Sequence, residues 1–460
     1  MTIMTITLDR QGLPLYRQIA DAIAEQVAAN TLQPGTKLPT HRALADALSV
    51  TVGTVTRAYA EAERRGIVEA KVGAGTYICQ TDKPLWTFAP PPTPGIMSFG
   101  YNVPPAINRA DLISEALQQL AAHPNELNNL MLYQSPMGIA HHREILSKWL
   151  AQHNVKTDPN RLLFCSGAQN AMQLCLVTLC RAGDTILTDK LTYPGLLSLA
   201  KQLRLTVKPV EMDDEGMLPE SLKAAYHQYQ PRLVYMTPTL QNPTTATMSE
   251  ERRHDVIRVC RELQLVILED DINGILPKER PNPIVNLAPD DVIYVGGLAK
   301  TLAPGLRLGF LQLPERYYPH FVNALQNHSW MISPLLTAMA SILLENGAAN
   351  QILDTIRDQM EARWRIAQEY LKDVDFRYHP NSFHGWLRLP DEWSLSEFLA
   401  ESKARGVEVK SSELFVPAGY SAPPYVRIAL SAPPDKETLE KGLHELADLL
   451  ANPPLSDFAL

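Results

Sequence analysis

The chain has 460 residues, of which 45% are hydrophobic and 20% charged, and its formal net charge is −8. A single hydrophobic core stops growing at roughly 250–300 residues, so this length predicts at least two domains, and the ordinary composition excludes a mostly disordered or fibrous chain. Five cysteines (Cys79, Cys165, Cys175, Cys180 and Cys260) without CxxC spacing exclude a disulfide framework and a cysteine zinc site; the lack of a long apolar run or a cleavable leader predicts a cytoplasmic protein with no membrane contact.

The negative charge is unevenly spread. Residues 1–80 hold eight Lys/Arg against seven Asp/Glu, a net of +1, so the remainder carries −9. Any contact with nucleic acid therefore belongs to the first eighty residues.

From Pro14, the apolar residues Tyr16, Ile19, Ile23 and Val27 recur at helical spacing, which predicts a first helix ending near Asn30, ahead of the turn Gln33-Pro34-Gly35. Thr40 suits the N-cap of a short helix carrying Leu44 and Leu48. Thr51 suits the N-cap of a third helix that runs through Val55, Tyr59 and Ala62 and ends at Gly66. The stretch 67–78 is rich in β-formers and broken by Gly73 and Gly75, the pattern of a two-stranded wing with glycine at its tip. Residues 1–80 thus form a winged helix-turn-helix.

Pro84, Pro90, Pro91, Pro92 and Pro94 exclude regular structure and predict an extended, polyproline linker at 81–97. Beyond it, strand-like runs at 161–165, 185–188, 233–237, 264–268 and 292–296 alternate with helical segments, the rhythm of an α/β doubly wound sheet. This second domain spans 98–460, and a helix at 351–372 leads into its smaller α+β part, about 346–460. His41 and the pair His141-His142 have no acidic or cysteine partner at ligand spacing and read as polar surface or capping residues. Glu269-Asp270-Asp271 lie on a strand, where neighbouring side chains alternate between faces, so no metal site is expected there.

The segments PLYRQIADAI, LQPGTKLPTHRALADAL, TVGTVTRAY and RRGIVEAKVGAGTYI, between residues 14 and 78, resemble the DNA-binding domain of the GntR family. The resemblance implies that the helix after Thr51 enters the major groove of operator DNA, with Arg42, Thr51, Thr54 and Lys71 at bases or phosphates. Val52 departs from the pattern, because many relatives carry arginine there. Base readout is then narrower, or shifted to other side chains such as Arg57.

The segment GGLAKTLAPGLRLGF, residues 296–310, resembles the fold-type I pyridoxal 5'-phosphate enzymes, and the two halves in this order resemble the MocR subgroup of GntR regulators over essentially the whole chain. The resemblance implies an aminotransferase-like domain in which Lys300 forms a Schiff base with pyridoxal 5'-phosphate and Arg307 holds the phosphate. In SGAQNAM, Gly167 and Ala168 bare backbone N–H groups at a helix start, where the dipole favours phosphate, and Gln169 adds a side-chain contact. By the same resemblance Tyr193 stacks on the pyridine ring, Asn242 hydrogen-bonds the ring hydroxyl, and Asp270 keeps the pyridine nitrogen protonated. Arg427 matches the arginine that pairs with an amino acid's α-carboxylate. Tyr133 matches a tyrosine that reaches the cofactor phosphate of a dimer partner.

Two departures stand out. Gly297 lies where relatives usually carry a phosphate-binding serine, and Ile272 lies where many carry a tyrosine that bonds the ring hydroxyl. Losing a hydroxyl contact to phosphate typically weakens binding by about 1.5–3 kcal/mol, which predicts weaker cofactor anchoring and low transaminase activity. The sequence therefore predicts a homodimeric transcription regulator that binds operator DNA and senses an amine or amino acid through external aldimine formation at Lys300. The alternative is an active amino-acid aminotransferase with an accessory DNA-binding domain.

Overall fold

The computed structural model of the chain describes residues 6, 8, 14–28, 31–33, 35–65, 67–71, 75–78 and 95–453, and the contacts divide the chain into two compact units, Met1–Thr87 and Phe88–Leu460. Most of the expected linker at 81–97 lies outside the described residues, as do Gly66, Gly73 and Cys79.

In the first unit, α1 (Leu15–Ala28), α2 (His41–Leu48) and α3 (Val52–Arg64) precede the antiparallel strands β1 (Val68–Lys71) and β2 (Gly75–Ile78). The two threonine caps form as the sequence predicts: the Thr40 and Thr51 hydroxyls accept the N–H groups of Ala43 and Thr54 at 3.2 and 3.1 Å. Ile19, Ile23, Leu44, Val55, Ala62 and Ile78 share one buried core. Tyr59 joins it while its hydroxyl donates to the Pro39 carbonyl at 2.8 Å, so the buried phenol is satisfied.

The second unit begins with β3 (Met97–Ser98), followed by β4 (Leu162–Cys165), β5 (Thr185–Asp189) and β6 (Thr206–Val210). A small hairpin, β7 (Met212–Asp213) with β8 (Gly216–Met217), leads to β9 (Leu233–Met236), β10 (Val266–Asp270), β11 (Val292–Gly297) and β12 (Gly309–Gln312). Seven of these make one sheet in the order β4-β12-β11-β10-β9-β5-β6. Its pairs are parallel except at β12, which runs antiparallel to β11 and β4. Alternation along the strands feeds two cores: Leu163, Cys165 and Leu268 pack on one face, and Leu162, Phe164 and Ile267 on the other. Helices cover both faces, as parallel strands require.

The helix Ala348–Tyr370 leads to the smaller part, in which β13 (Phe376–Arg377), β14 (His384–Arg388), β15 (Val407–Glu408), β16 (Lys410–Ser411) and β17 (Tyr425–Ala429) follow. Four of them form the antiparallel sheet β13-β14-β17-β16, while β15 pairs in parallel with β3. Residues 97–99 are thereby bound to the C-terminal part of the unit. Met97 and Phe99 donate to the carbonyls of Gly406 and Glu408, each at 2.7 Å, and Ala429 donates to the Phe99 carbonyl at 2.7 Å.

One expectation is overturned. His142 is not a surface or capping residue: it is 7% exposed, its Nδ1 lies 3.0 Å from the Thr337 hydroxyl, and burial pulls its pKa down to about 4. The helical spacing of His141 and His142 could not tell which of the two faces inward. His141 does face solvent, and His41 lies with its ring centroid 5.0 Å from that of Tyr59. Among the described residues, Cys165, Cys175, Cys180 and Cys260 are free, no cluster suits a metal, and no helix is long and apolar enough to cross a membrane.

Candidate functional site

The parallel strands aim their C-terminal ends at one region, and the loops there carry almost every chemical residue of the second unit. In open α/β sheets this is where ligands bind. Asp270 closes β10 and Lys300 follows β11, while Tyr193 follows β5, Asn242 follows β9 and Gly167 follows β4.

The three adjacent acids separate as strand geometry demands. Glu269 is fully buried and accepts the N–H groups of Ile284 and Val285, both at 2.8 Å. Asp271 accepts from the buried Arg280 at 2.5 Å and from the Tyr294 hydroxyl at 2.8 Å. Only Asp270 remains for the site. Its carboxylate accepts from the Tyr235 hydroxyl at 2.7 Å and from the Ile272 N–H at 3.2 Å, and burial raises its pKa to about 6 against those two donors. Tyr235 was not singled out in the sequence. A hydroxyl-bearing ring inside the four-residue buried strand LVYM was the available signal, since such a hydroxyl must find a partner.

Lys300 is half-buried, donates to the Asn102 carbonyl, and has its ammonium 5.7 Å from the centre of the Phe383 ring. Burial and then the neighbouring Arg427 cation lower its pKa to about 7, with Asp270 opposing. A substantial fraction of the amine is therefore neutral and nucleophilic near neutral pH.

Arg427 sits on β17 opposite Trp386 of β14 and is 6% exposed. Its guanidinium donates to Asn242 Oδ1 at 2.9 Å and to the Gly100 carbonyl at 2.6 Å, and lies 5.0 Å from the centre of the Phe415 ring. Its Nε has no partner among the described residues, and neither does Nδ1 of the fully buried His384, which shares the Arg427 face of the sheet.

A second cluster forms where β4 meets the helix Ala168–Leu179. Gly167 has φ +87°, which favours glycine, and a β-carbon there would stand 2.8 Å from Arg307 Nη2, so a side chain would displace the guanidinium that lies on the turn. Gly309 presses on the same turn, since its β-carbon would lie 2.5 Å from the Gly167 carbonyl carbon. Gln169 donates to the Gly195 carbonyl at 3.0 Å and leaves its Oε1 buried without a partner among the described residues. The Tyr193 ring folds over Gly195, where a β-carbon would be 2.3 Å from its Cε1, and burial pushes the phenol pKa up.

The structure thus brings Lys300, Asp270, Asn242, Tyr193, Arg427 and the Gly167–Arg307 cluster to one end of the sheet. Tyr133 stands apart, 83% exposed, with its ring 6.1 Å from that of Trp330. In the first unit, Arg42, Thr51 and Arg57 are exposed and Thr54 is half-buried, while the Lys71 side chain lies outside the described residues. The two sequence departures meet in space: a β-carbon on Gly297 would stand 2.7 Å from Cδ1 of Ile272. The isoleucine fills the room that a side chain at 297 would need.

Comparison with known proteins matches residues 94–446 to the aminotransferase class I and II family and residues 15–78 to the bacterial regulatory proteins of the gntR family. The chain is 29% identical over 455 residues to the HTH-type transcriptional regulator YdeF of Bacillus subtilis, covering 96% of each chain. It is 23% identical to the aromatic-amino-acid aminotransferase 1 of Thermococcus litoralis over 74% of this chain and 83% of that protein. Among solved structures, the kynurenine aminotransferase of Pyrococcus horikoshii superposes with a TM-score of 0.71 at 23% identity, covering 78% of this chain and 91% of that one.

The contact between positions 297 and 272 yields a direct test. Gly297→Ser should lower the melting temperature, because an overpacked core typically loses about 1–3 kcal/mol. Ile272→Ala in the same chain should recover part of that loss. Thermal unfolding of both single variants and the double variant measures the coupling, and strictly additive losses would contradict the contact.

Proposed function

The chain belongs to the aminotransferase class I and II family and carries a gntR-family segment ahead of it, the arrangement of the MocR regulators, and from that premise we propose that it is a transcription regulator whose second unit holds pyridoxal 5'-phosphate on Lys300 and senses an amino acid. The observation that carries this reading is the meeting of an amine with pKa about 7, a buried carboxylate and a buried, incompletely bonded guanidinium at one end of the sheet.

The residues fit the cofactor. A phosphate needs N–H donors and a cation, and the start of the helix at Ala168 beneath Arg307 supplies both. A pyridine nitrogen needs an anion, and Asp270 is held in place for it by Tyr235. Tyr193 offers a ring face, and Asn242 a side-chain amide. When bound, pyridoxal phosphate contributes an aldehyde that condenses with primary amines and a ring that withdraws electrons.

The protein's own part is positioning. Arg427 binds the carboxylate of an incoming amino acid, and its free Nε–H makes a bidentate grip possible. With the cofactor held, the Lys300 amine, whose pKa is lowered to about 7, would be the base that moves protons nearby. To complete the grip, the carboxylate competes with the Gly100 carbonyl for the guanidinium. Gly100 continues directly into β3 and the proline-rich stretch, so its displacement is the event passed toward the DNA-binding segment. Transamination is slow in this reading, since Gly297 and Ile272 remove two hydroxyl anchors and alignment is what proton transfer needs.

The exposed apolar residues Met131, Leu132, Tyr133 and Trp330, which range from 55% to 83% exposed, support a homodimer that covers them. Tyr133 would then complete the partner's site. Light scattering should give twice the 51.2 kDa chain mass, and a monomer would refute the pairing.

Borohydride reduction tests the cofactor assignment. Treatment of the cofactor-loaded chain should fix a pyridoxyl group on the peptide containing Lys300, and label on another lysine would refute it. The pH dependence has a definite sign: the free amine is the nucleophile and its pKa is lowered to about 7, so the rate of cofactor condensation should rise through about pH 7 and be lost below it. An ordinary lysine would rise only near about pH 10.4.

A further inference from the structure

α3 buries Val55, Ala58, Tyr59 and Ala62 and turns its opposite face outward. Val52, Thr56 and Ala60 fall four residues apart on that face, in one line, and all three are exposed. Val52, at 44% exposure, is the only exposed large hydrophobic side chain among the described residues of the first unit. A single exposed valine is ordinary. Here, however, its neighbours have also lost their polarity.

The Thr56 hydroxyl donates to the Val52 carbonyl at 3.0 Å, so its hydrogen is spent on the helix itself, and it offers outward only an acceptor oxygen and its γ-methyl. The Thr51 hydroxyl accepts the Thr54 N–H, and the Thr51 and Thr54 hydroxyls bond each other at 2.9 Å. Between residues 52 and 60, Arg57 is the sole charged side chain. The outward face of the first two turns therefore presents methyl groups beside one guanidinium. For the donors and acceptors of base edges it keeps the Arg57 guanidinium and the Thr56 acceptor oxygen, and the line through Val52, Thr56 and Ala60 is otherwise methyl.

In the major groove the one apolar feature is the 5-methyl of thymine, while guanine and adenine are read by paired donors and acceptors. We infer that Val52 and Thr56 read thymine methyl groups, and that α3 thereby selects A·T pairs through packing. This inference rests on the DNA-binding reading of residues 15–78. Four helical residues rise about 6 Å. Base steps are about 3.4 Å along a strand, so the two thymines lie about two steps apart. Arg57 is left for a guanine or a phosphate at the side of the methyl line.

The test uses the full chain and a duplex that it selects from a random pool. Each thymine of that duplex is replaced in turn by uracil, which removes only the methyl, and affinity is measured by fluorescence anisotropy. Burying one methyl corresponds to about a three- to fivefold change, so uracil at one or two positions should weaken binding by that factor. Val52→Ala and Thr56→Ser, which delete protein methyls and keep the Thr56 hydroxyl, should each abolish the penalty at one position. Both variants should retain wild-type affinity for non-specific DNA and the same salt slope, since no phosphate contact is lost, and this retention establishes that they fold. Absence of any uracil penalty, or the same penalty in both variants, overturns the inference while leaving DNA binding intact. Failure of the full chain to select any duplex overturns the DNA-binding reading itself.

Discussion

The buried guanidinium of Arg427 is the interaction on which the second unit depends. It reaches from β17 of the small sheet to Asn242, in the loop beyond β9 of the large sheet, and to Gly100, on the segment that follows the proline-rich stretch. A charged group at 6% exposure is costly unless its donors are satisfied, so these two acceptors hold three parts of the unit together. The same cation stands close enough to Lys300 to help lower its pKa. In the proposed reading, a ligand that carries both an amine and a carboxylate would meet the cofactor at Lys300 with one group and the Arg427 guanidinium with the other, at the joint between the parts.

The depressed Lys300 and the raised Asp270 share their largest cause, burial, acting on charges of opposite sign. Each moves toward neutrality, and the two residues bring their pKa values to within a unit of neutral pH. That suits reversible capture of an amine. The tight fit of Ile272 against Gly297 argues that the site has been packed with methyl groups where a polar anchor would otherwise stand.

Much of this was legible in the sequence because it follows from local rules. Threonine caps, the glycine of the wing and the helical spacing of Ile19 and Ile23 place the first unit without tertiary information. Asp270 and Lys300 were marked by the resemblance of their segments to the pyridoxal phosphate enzymes, and Asp270 also by its place at a strand end. What escaped depends on contacts distant in sequence. Tyr235 reaches Asp270 across 35 residues, and the Gly100 carbonyl meets Arg427 across 327, separations at which no periodic signal survives. β6 and β12 also lie outside the strand-like runs read from the sequence: TVKPV carries a lysine and a proline, and GFLQ opens on glycine and ends on glutamine, so neither makes an apolar run. His142 was misplaced because two adjacent histidines leave the inward one undetermined.

The most direct test of the account is the affinity of the cofactor-loaded full chain for its selected duplex, measured across a panel of amino acids and their decarboxylated amines while the cofactor absorbance is followed. An amino acid that perturbs the absorbance should change DNA affinity by about fivefold or more, the low end of ordinary allosteric coupling, and the corresponding amine without a carboxylate should not. If amino acids react at the cofactor and DNA affinity stays constant, the sensing account is wrong.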